Sequence, residues 1–298
     1  MIQSRQDGVQ RVRTEAGVVE TTLPTAPRFS GRVGLLAGGG RFPVYFADAA
    51  RKQGIEVVCV AIAGHADPQL QHSVDRFHWN GFAKLGRMIR LFKREGVECV
   101  VMAGKIYKTA IYAPWRLFRY IPDWRLIRAF WLRRRGDNRD DSLLLMVINE
   151  MHRDGLRLAS ALEICPELLV KAGCMTRRRP SSRELADVQF GWRMAKEMGR
   201  LDVGQSVAVK ERAVLAVEAI EGTDQMILRA GALCPAGGFT VVKVAKPQQD
   251  MRFDVPTIGE TTIRNIHQAG GKVLAVEADR TILIDADATI ALADQLGL

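Results

Sequence analysis

Three nearly continuous apolar runs, residues 33–37, 56–62 and 97–103, constrain this chain more than any other feature. A strand half-exposed to water alternates apolar and polar residues, whereas one covered on both faces does not. Between the runs lie segments with helical spacing. Residues 44–53 form one, stopped by Gly54; residues 84–95 form another, with Leu85, Met88, Ile89 and Phe92 on one face and Gly96 as its stop. Strand, helix, strand in this order predicts a parallel sheet with helices on both sides. The fold class is therefore α/β, with a Rossmann-like three-layer N-terminal domain over residues 32–164. Residues 1–31 mix Gln, Arg, Thr and Glu without an apolar core, so they read as a loose N-terminal arm rather than a secretory signal.

The second half has a different texture. A chain of 298 residues has room for two domains. After Asp137, Asp140 and Asp141, a helix is predicted over 142–153, its N-terminus favoured by acidic neighbours. Another follows over 184–198, capped by Ser181 or Ser182. Residues 205–210 and 214–220 flank the turn Glu211-Arg212 as a hairpin. Residues 240–246 read as a strand, 261–269 as a helix, 273–278 with 280–284 as a second hairpin, and 288–296 as a closing helix. This predicts a C-terminal mixed-sheet α/β domain over residues 165–298.

Composition narrows the setting. No apolar run approaches the roughly 20 residues that a membrane-spanning helix needs. The five cysteines are odd in number and lack CxxC spacing, which points to a reducing cytoplasm and to no zinc site. Cys59 and Cys99 lie inside apolar runs and read as small hydrophobes. Much of the net charge of +10 sits between residues 116 and 135, where seven arginines face the single Asp123. Trp115, Trp124 and Trp131 interleave with them. Guanidinium beside amphipathic rings suits a lipid headgroup layer; it equally suits a basic helix packing its aromatics on the domain core. RNA binding is a third reading, but no RNA-module motif accompanies the patch.

Three places carry candidate chemistry. Gly38-Gly39-Gly40 lies between a strand and a helix, where backbone amides and the helix dipole can hold a phosphate; it also suits a tight turn without ligand. It is neither a Walker A loop nor GxGxxG. Asp224 follows Gly222 and Thr223 where a strand gives way to a helix. A carboxylate there can bind Mg²⁺ or orient a water, or Thr223 or Asp224 can simply cap the helix. The polar stretch from Lys246 to Gly259 sets Lys246, Gln248, Gln249, Asp250, Arg252 and Asp254 between Pro247 and Pro256, a stiff loop suited to a phosphorylated ligand and its metal ion. The five histidines share no ligand spacing.

Three segments in order carry a resemblance: Gly34-Leu35-Leu36-Ala37-Gly38-Gly39-Gly40-Arg41-Phe42-Pro43, then Leu215-Ala216-Val217-Glu218-Ala219-Ile220-Glu221-Gly222-Thr223-Asp224, then the Lys246 to Gly259 stretch. With Gly199-Arg200-Leu201-Asp202-Val203-Gly204-Gln205-Ser206-Val207 they resemble the UDP-2,3-diacylglucosamine pyrophosphatase family of lipid A biosynthesis, the type unrelated to calcineurin-like phosphoesterases. The resemblance covers about residue 33 to the C-terminus. It implies Mg²⁺-assisted attack of water on the diphosphate of a diacylated UDP-sugar, giving UMP and 2,3-diacylglucosamine 1-phosphate, with Asp224 as the catalytic residue. Expected substrate contacts are Gly38, Gly39, Gly40, Lys105, Asp140, Asp141, Thr223, Lys246 and Gln249; expected metal ligands are Asp224, Asp250 and Asp254. The family's compact Gly-Asp-Asp-Ala-Leu-Leu run is replaced here by Gly136-Asp137-Asn138-Arg139-Asp140-Asp141-Ser142-Leu143-Leu144, and residues 115–135 are unusually basic. The expected setting is cytoplasmic and peripheral on the inner membrane. The partners expected are the lipid surface and substrate, with room for a homo-oligomer and without nucleic acid. The rivals are an NAD-dependent Rossmann enzyme, which lacks its acidic residue after the second strand, and a non-catalytic lipid or nucleic-acid binding protein.

Overall fold

A computed structural model describes residues 10–14, 17–21, 31–105, 121–133, 140–252 and 254–298; for 10–14, 17–21, 132–133 and 140–143 it describes the backbone alone. Within the N-terminal arm, β1 (Gln10–Thr14) and β2 (Gly17–Thr21) pair antiparallel with each other.

The first domain is built on five parallel strands: β3 (Arg32–Ala37), β4 (Glu56–Ile62), β5 (Arg76–Asn80), β6 (Cys99–Ala103) and β7 (Arg157–Ala159), in the order β5-β4-β3-β6-β7. The apolar runs are continuous because both faces are covered. Val33, Leu35, Val57, Cys59 and Val101 face the helix Phe42–Lys52, whose Phe46, Ala47 and Ala50 are fully buried. Val58, Val60, Val100 and Met102 face the helices Leu85–Arg94 and Asp140–Arg153. Burial pushes the thiols of Cys59, Cys99 and Cys165 up to about 12, 11 and 12, which makes them inert apolar fillers.

From β3 the chain runs outward to β4 and β5, then crosses back to β6 on the other side of β3. Such a reversal opens a crevice at the carboxyl ends of the two central strands. Gly38-Gly39-Gly40 follows β3 and Gly104-Lys105 follows β6, so both loops sit at that crevice.

The second domain has the mixed sheet β12-β10-β8-β9, made of β8 (Ser206–Lys210), β9 (Ala213–Val217), β10 (Thr240–Lys243) and β12 (Val273–Val276). The helix Ser182–Arg200 covers one face, and Thr223–Leu233, Glu260–Gln268 and Ala286–Gln295 cover the other. The hairpin about Glu211-Arg212 forms, both residues taking positive φ (52° and 59°) while buried Asp187 accepts both of their amide hydrogens. The second expected hairpin does not form. β12 pairs parallel with β10, and after a turn at Asp279 the chain leaves that sheet. There β13 (Ile282–Leu283) pairs parallel with β11 (Thr257–Ile258). Apolar alternation on both sides of a turn cannot tell self-pairing from pairing with distant strands.

Among the described residues, hydrogen bonds and an ion pair join the halves. The linker's Val170 donates to Thr281 O and accepts from Asp279 N, Ser160 Oγ donates to Met251 O, and Arg41 pairs with Asp285 at 2.6 Å. No described helix is long and apolar enough to cross a membrane.

Candidate active site

The loops after β3 and β6 lock together first. Gly38 N donates to Ala103 O, and Gly39 exchanges two backbone hydrogen bonds of 2.8 Å with Lys105. Contact is so close that a Cβ on Gly38 would lie 2.7 Å from Lys105 O, and one on Gly104 2.7 Å from Gly39 O. Gly38 and Gly104 are thus needed for backbone approach. Two of the triple glycine's three amides are spent inside the protein; Gly40 is exposed and has no backbone partner among the described residues. Lys105, exposed, is carried by the same lock.

Across the crevice, the helix Thr223–Leu233 begins at Gly222, whose φ of 82° suits glycine. Gly222 is the capping residue and makes no side-chain cap, so neither Thr223 nor Asp224 serves as one. That removes capping as the account of this pair. Asp224, half-buried in the first turn, is favoured there by the helix dipole. Thr223 turns its hydroxyl inward, donating to Glu218 Oε1 at 2.9 Å and accepting from Lys243 Nζ at 3.0 Å.

Lys243 is the residue that the sequence reading passed over. It ends β10 and is 6% exposed. Burial pushes its ammonium below the ordinary 10.5; Glu218 opposes that, Lys105 adds to it, and Asp224 and Asp254 oppose it. Lys105 of the first domain and Glu218, Asp224 and Asp254 of the second thus all act electrostatically on one buried cation. A lysine between Val242 and Val244 in an apolar run was the available signal, and so was Glu218 closing the preceding strand.

The polar loop is braced from within. Buried Gln249 accepts from Lys246 N and donates to Asp254 Oδ2, both at 2.7 Å. Lys246 Nζ is paired with Asp202. Gln249 therefore shapes the loop and aims Asp254. Asp250 lies apart from the Lys243 group: Arg252 grips both of its oxygens and holds its carboxyl below the usual range. Glu221 turns to Arg229. The backbone of Asp140 and Asp141 opens a helix, but their side chains lie outside the described residues, as do residues 106–120 and 134–139.

Among the described residues no three His, Cys, Asp or Glu side chains converge as a metal cage. Magnesium needs less: one or two carboxylates, with water and substrate phosphates completing its shell. Asp224 and Asp254 fit that donor set, and the charge balance asks for a cation. Lys243 and Lys105 supply two positive charges against the three negative charges of Glu218, Asp224 and Asp254, so a bound cation would ease the approach of a diphosphate.

The basic helix Trp124–Arg133 is fixed to the first domain through Asp123, which accepts from Gly86 N, Arg87 N and Leu126 N, and through Arg125, which pairs with buried Glu150. Its aromatics do not pack on the core. Trp124, Phe130 and Trp131 are 76%, 55% and 72% exposed.

The profile of the LpxI N-terminal domain matches residues 32–168, and that of the LpxI C-terminal domain matches residues 171–298. The UDP-2,3-diacylglucosamine pyrophosphatase LpxI of Caulobacter vibrioides is 34% identical over 279 residues, covering 90% of this chain and 95% of that protein. Among solved structures, the biotin carboxylase domain of Hydrogenobacter thermophilus 2-oxoglutarate carboxylase aligns with TM-score 0.23 and 16% identity, over 70% of this chain and 42% of that one. The biotin carboxylase subunit of pyruvate carboxylase aligns with TM-score 0.21 and 16% identity, over 63% and 38%. This chain spans under half of either structure, and likeness at that level carries no argument. The two profile matches and the full-length relative are decisive: the chain belongs to the LpxI family in both of its domains.

Proposed function

We propose that this protein hydrolyses the pyrophosphate bond of UDP-2,3-diacylglucosamine, releasing UMP and 2,3-diacylglucosamine 1-phosphate, in the crevice between its two domains. The observation that carries the reading is buried Lys243, whose Nζ donates to Thr223 Oγ1 at 3.0 Å, beside Asp224, and to Thr257 O at 3.1 Å, at the end of the loop that carries Asp254. Lys105 and the amide of Gly40 present positive charge to the phosphates from the first domain. Asp224 faces them from the second and holds the attacking water, whose oxygen bonds to phosphorus as the bridging P–O bond breaks. Asp224 and Asp254 would hold Mg²⁺, which when bound offsets charge on the phosphates. Gln249 keeps Asp254 turned inward.

The exposed stripe of Trp124, Phe130 and Trp131 supports a peripheral position on an anionic membrane, where a doubly acylated substrate resides. The setting that follows is the cytoplasmic face of the inner membrane.

The chemistry is tested by UMP release from UDP-2,3-diacylglucosamine. Asp224→Ala is expected to lower kcat by about 10²- to 10⁴-fold with an unchanged circular dichroism spectrum. Wild-type protein treated with EDTA should lose activity and regain it with Mg²⁺. A variant as fast as wild type removes Asp224 from the reaction, and activity that survives chelation removes the metal.

A further inference from the structure

Lys243 makes no ion pair with any carboxylate among the described residues, although it is almost wholly buried. Its Nζ donates to Thr223 Oγ1 at 3.0 Å and to Thr257 O at 3.1 Å, both uncharged acceptors. An ammonium buried on such terms lowers stability, and an apolar side chain of similar length is often neutral or better in its place. What the position holds together accounts for it. Thr223 is the first residue of the helix that carries Asp224 in its first turn. Thr257 opens β11, directly after the polar loop that carries Asp254. Through Thr223 the connection continues to buried Glu218, whose Oε1 takes the hydroxyl proton, and Ser206 Oγ lies 3.3 Å from the same hydroxyl. One nitrogen therefore ties the helix start to the loop end, and both site carboxylates lie just beyond its two ties.

We propose that Lys243 is the positioning residue of this site, holding Asp224 and Asp254 in register by clamping Thr223 and Thr257. The proposal rests on the hydrolase reading. It differs from a stabilising role in one respect: the clamp acts on the rate and not on the fold.

The test compares wild type, Lys243→Met, Thr223→Val and the double variant in UMP release with Mg²⁺ present, alongside thermal melting. A displacement of about 1 Å at a reacting group costs about 100-fold. Lys243→Met is therefore expected to lose about 100-fold in kcat with KM within about threefold, and to melt at or above the wild-type temperature. Thr223→Val is expected to lose kcat in the same sense. The double variant should be no slower than Lys243→Met, because both changes release one clamp. Lys243→Met within about threefold of wild-type kcat, or losses that simply multiply in the double variant, overturn the proposal. Should Lys243→Met fail to fold, Thr223→Val decides: a folded variant at full rate overturns the clamp, and one with reduced kcat and unchanged KM upholds it. A wild-type protein that releases no UMP overturns the hydrolase reading and this proposal with it.

Discussion

Single side chains in this protein show how local chemistry sets a preference that the wider structure then uses. Ser181 and Glu184 form a reciprocal capping box, and Arg178 pairs with Glu184 from outside the helix. Burial tends to raise the Glu184 carboxyl, but the Ser181 amide, the Arg178 guanidinium and the Ser181 hydroxyl outweigh it and hold it below 4.5. A depressed carboxylate contributes stability that is full above its unfolded value and lost as pH falls through its folded one. Glu184→Gln is expected to cost about 1 kcal/mol at pH 7 and to converge with wild type as pH drops below about 4. Urea melts at both pH values check this; an undiminished gap in acid means the charge is irrelevant. The site at this scale was half legible. Asp224 stood out by its place after Gly222-Thr223. Lys243 did not, because it reads as the end of a strand and its partners Thr223 and Thr257 lie 20 and 14 residues away.

At the scale of elements, exposure decides what a helix is for. The helix Trp124–Arg133 turns Arg125 and Ala129 inward while Trp124, Ile127, Phe130 and Trp131 remain in water. Its attachment through Asp123 is polar and independent of those rings. Replacing Trp124 and Trp131 with Ala is therefore expected to leave the melting temperature close to wild type and to weaken sedimentation with vesicles containing phosphatidylglycerol by about tenfold or more. Unaltered sedimentation takes the membrane away from this helix. Strands show the converse lesson. β3, β4 and β6 were legible because both of their faces are covered. β5 was not, because Arg76-Phe77-His78-Trp79-Asn80 is an edge strand with polar and half-exposed positions, and β7 is only three residues long.

For the whole molecule, the question is what holds two domains around one crevice. The linker joins them through backbone hydrogen bonds at Val170, while Arg41 and Asp285 form an exposed tether beside the triple glycine. An exposed pair contributes about 0–1 kcal/mol, so Arg41→Ala is expected to leave stability within about 1 kcal/mol of wild type. It should nevertheless widen the distance distribution in small-angle scattering; an unchanged distribution assigns the domain arrangement to the linker and the Ser160–Met251 contact. The two-domain plan was readable from the change in texture along the chain. The partner strand of residues 280–284 was not, since nothing in an apolar run states which distant run it joins.

Arg41 follows Gly40, whose amide has no backbone partner among the described residues. On the proposed reading, an anion bound beside Gly40 would compete with Asp285 for the same guanidinium. By reciprocity, whatever strengthened the tether would then weaken the anion's hold, and an occupied site would loosen its own closure. Loading and letting go would then be a single equilibrium, with ionic strength acting on both.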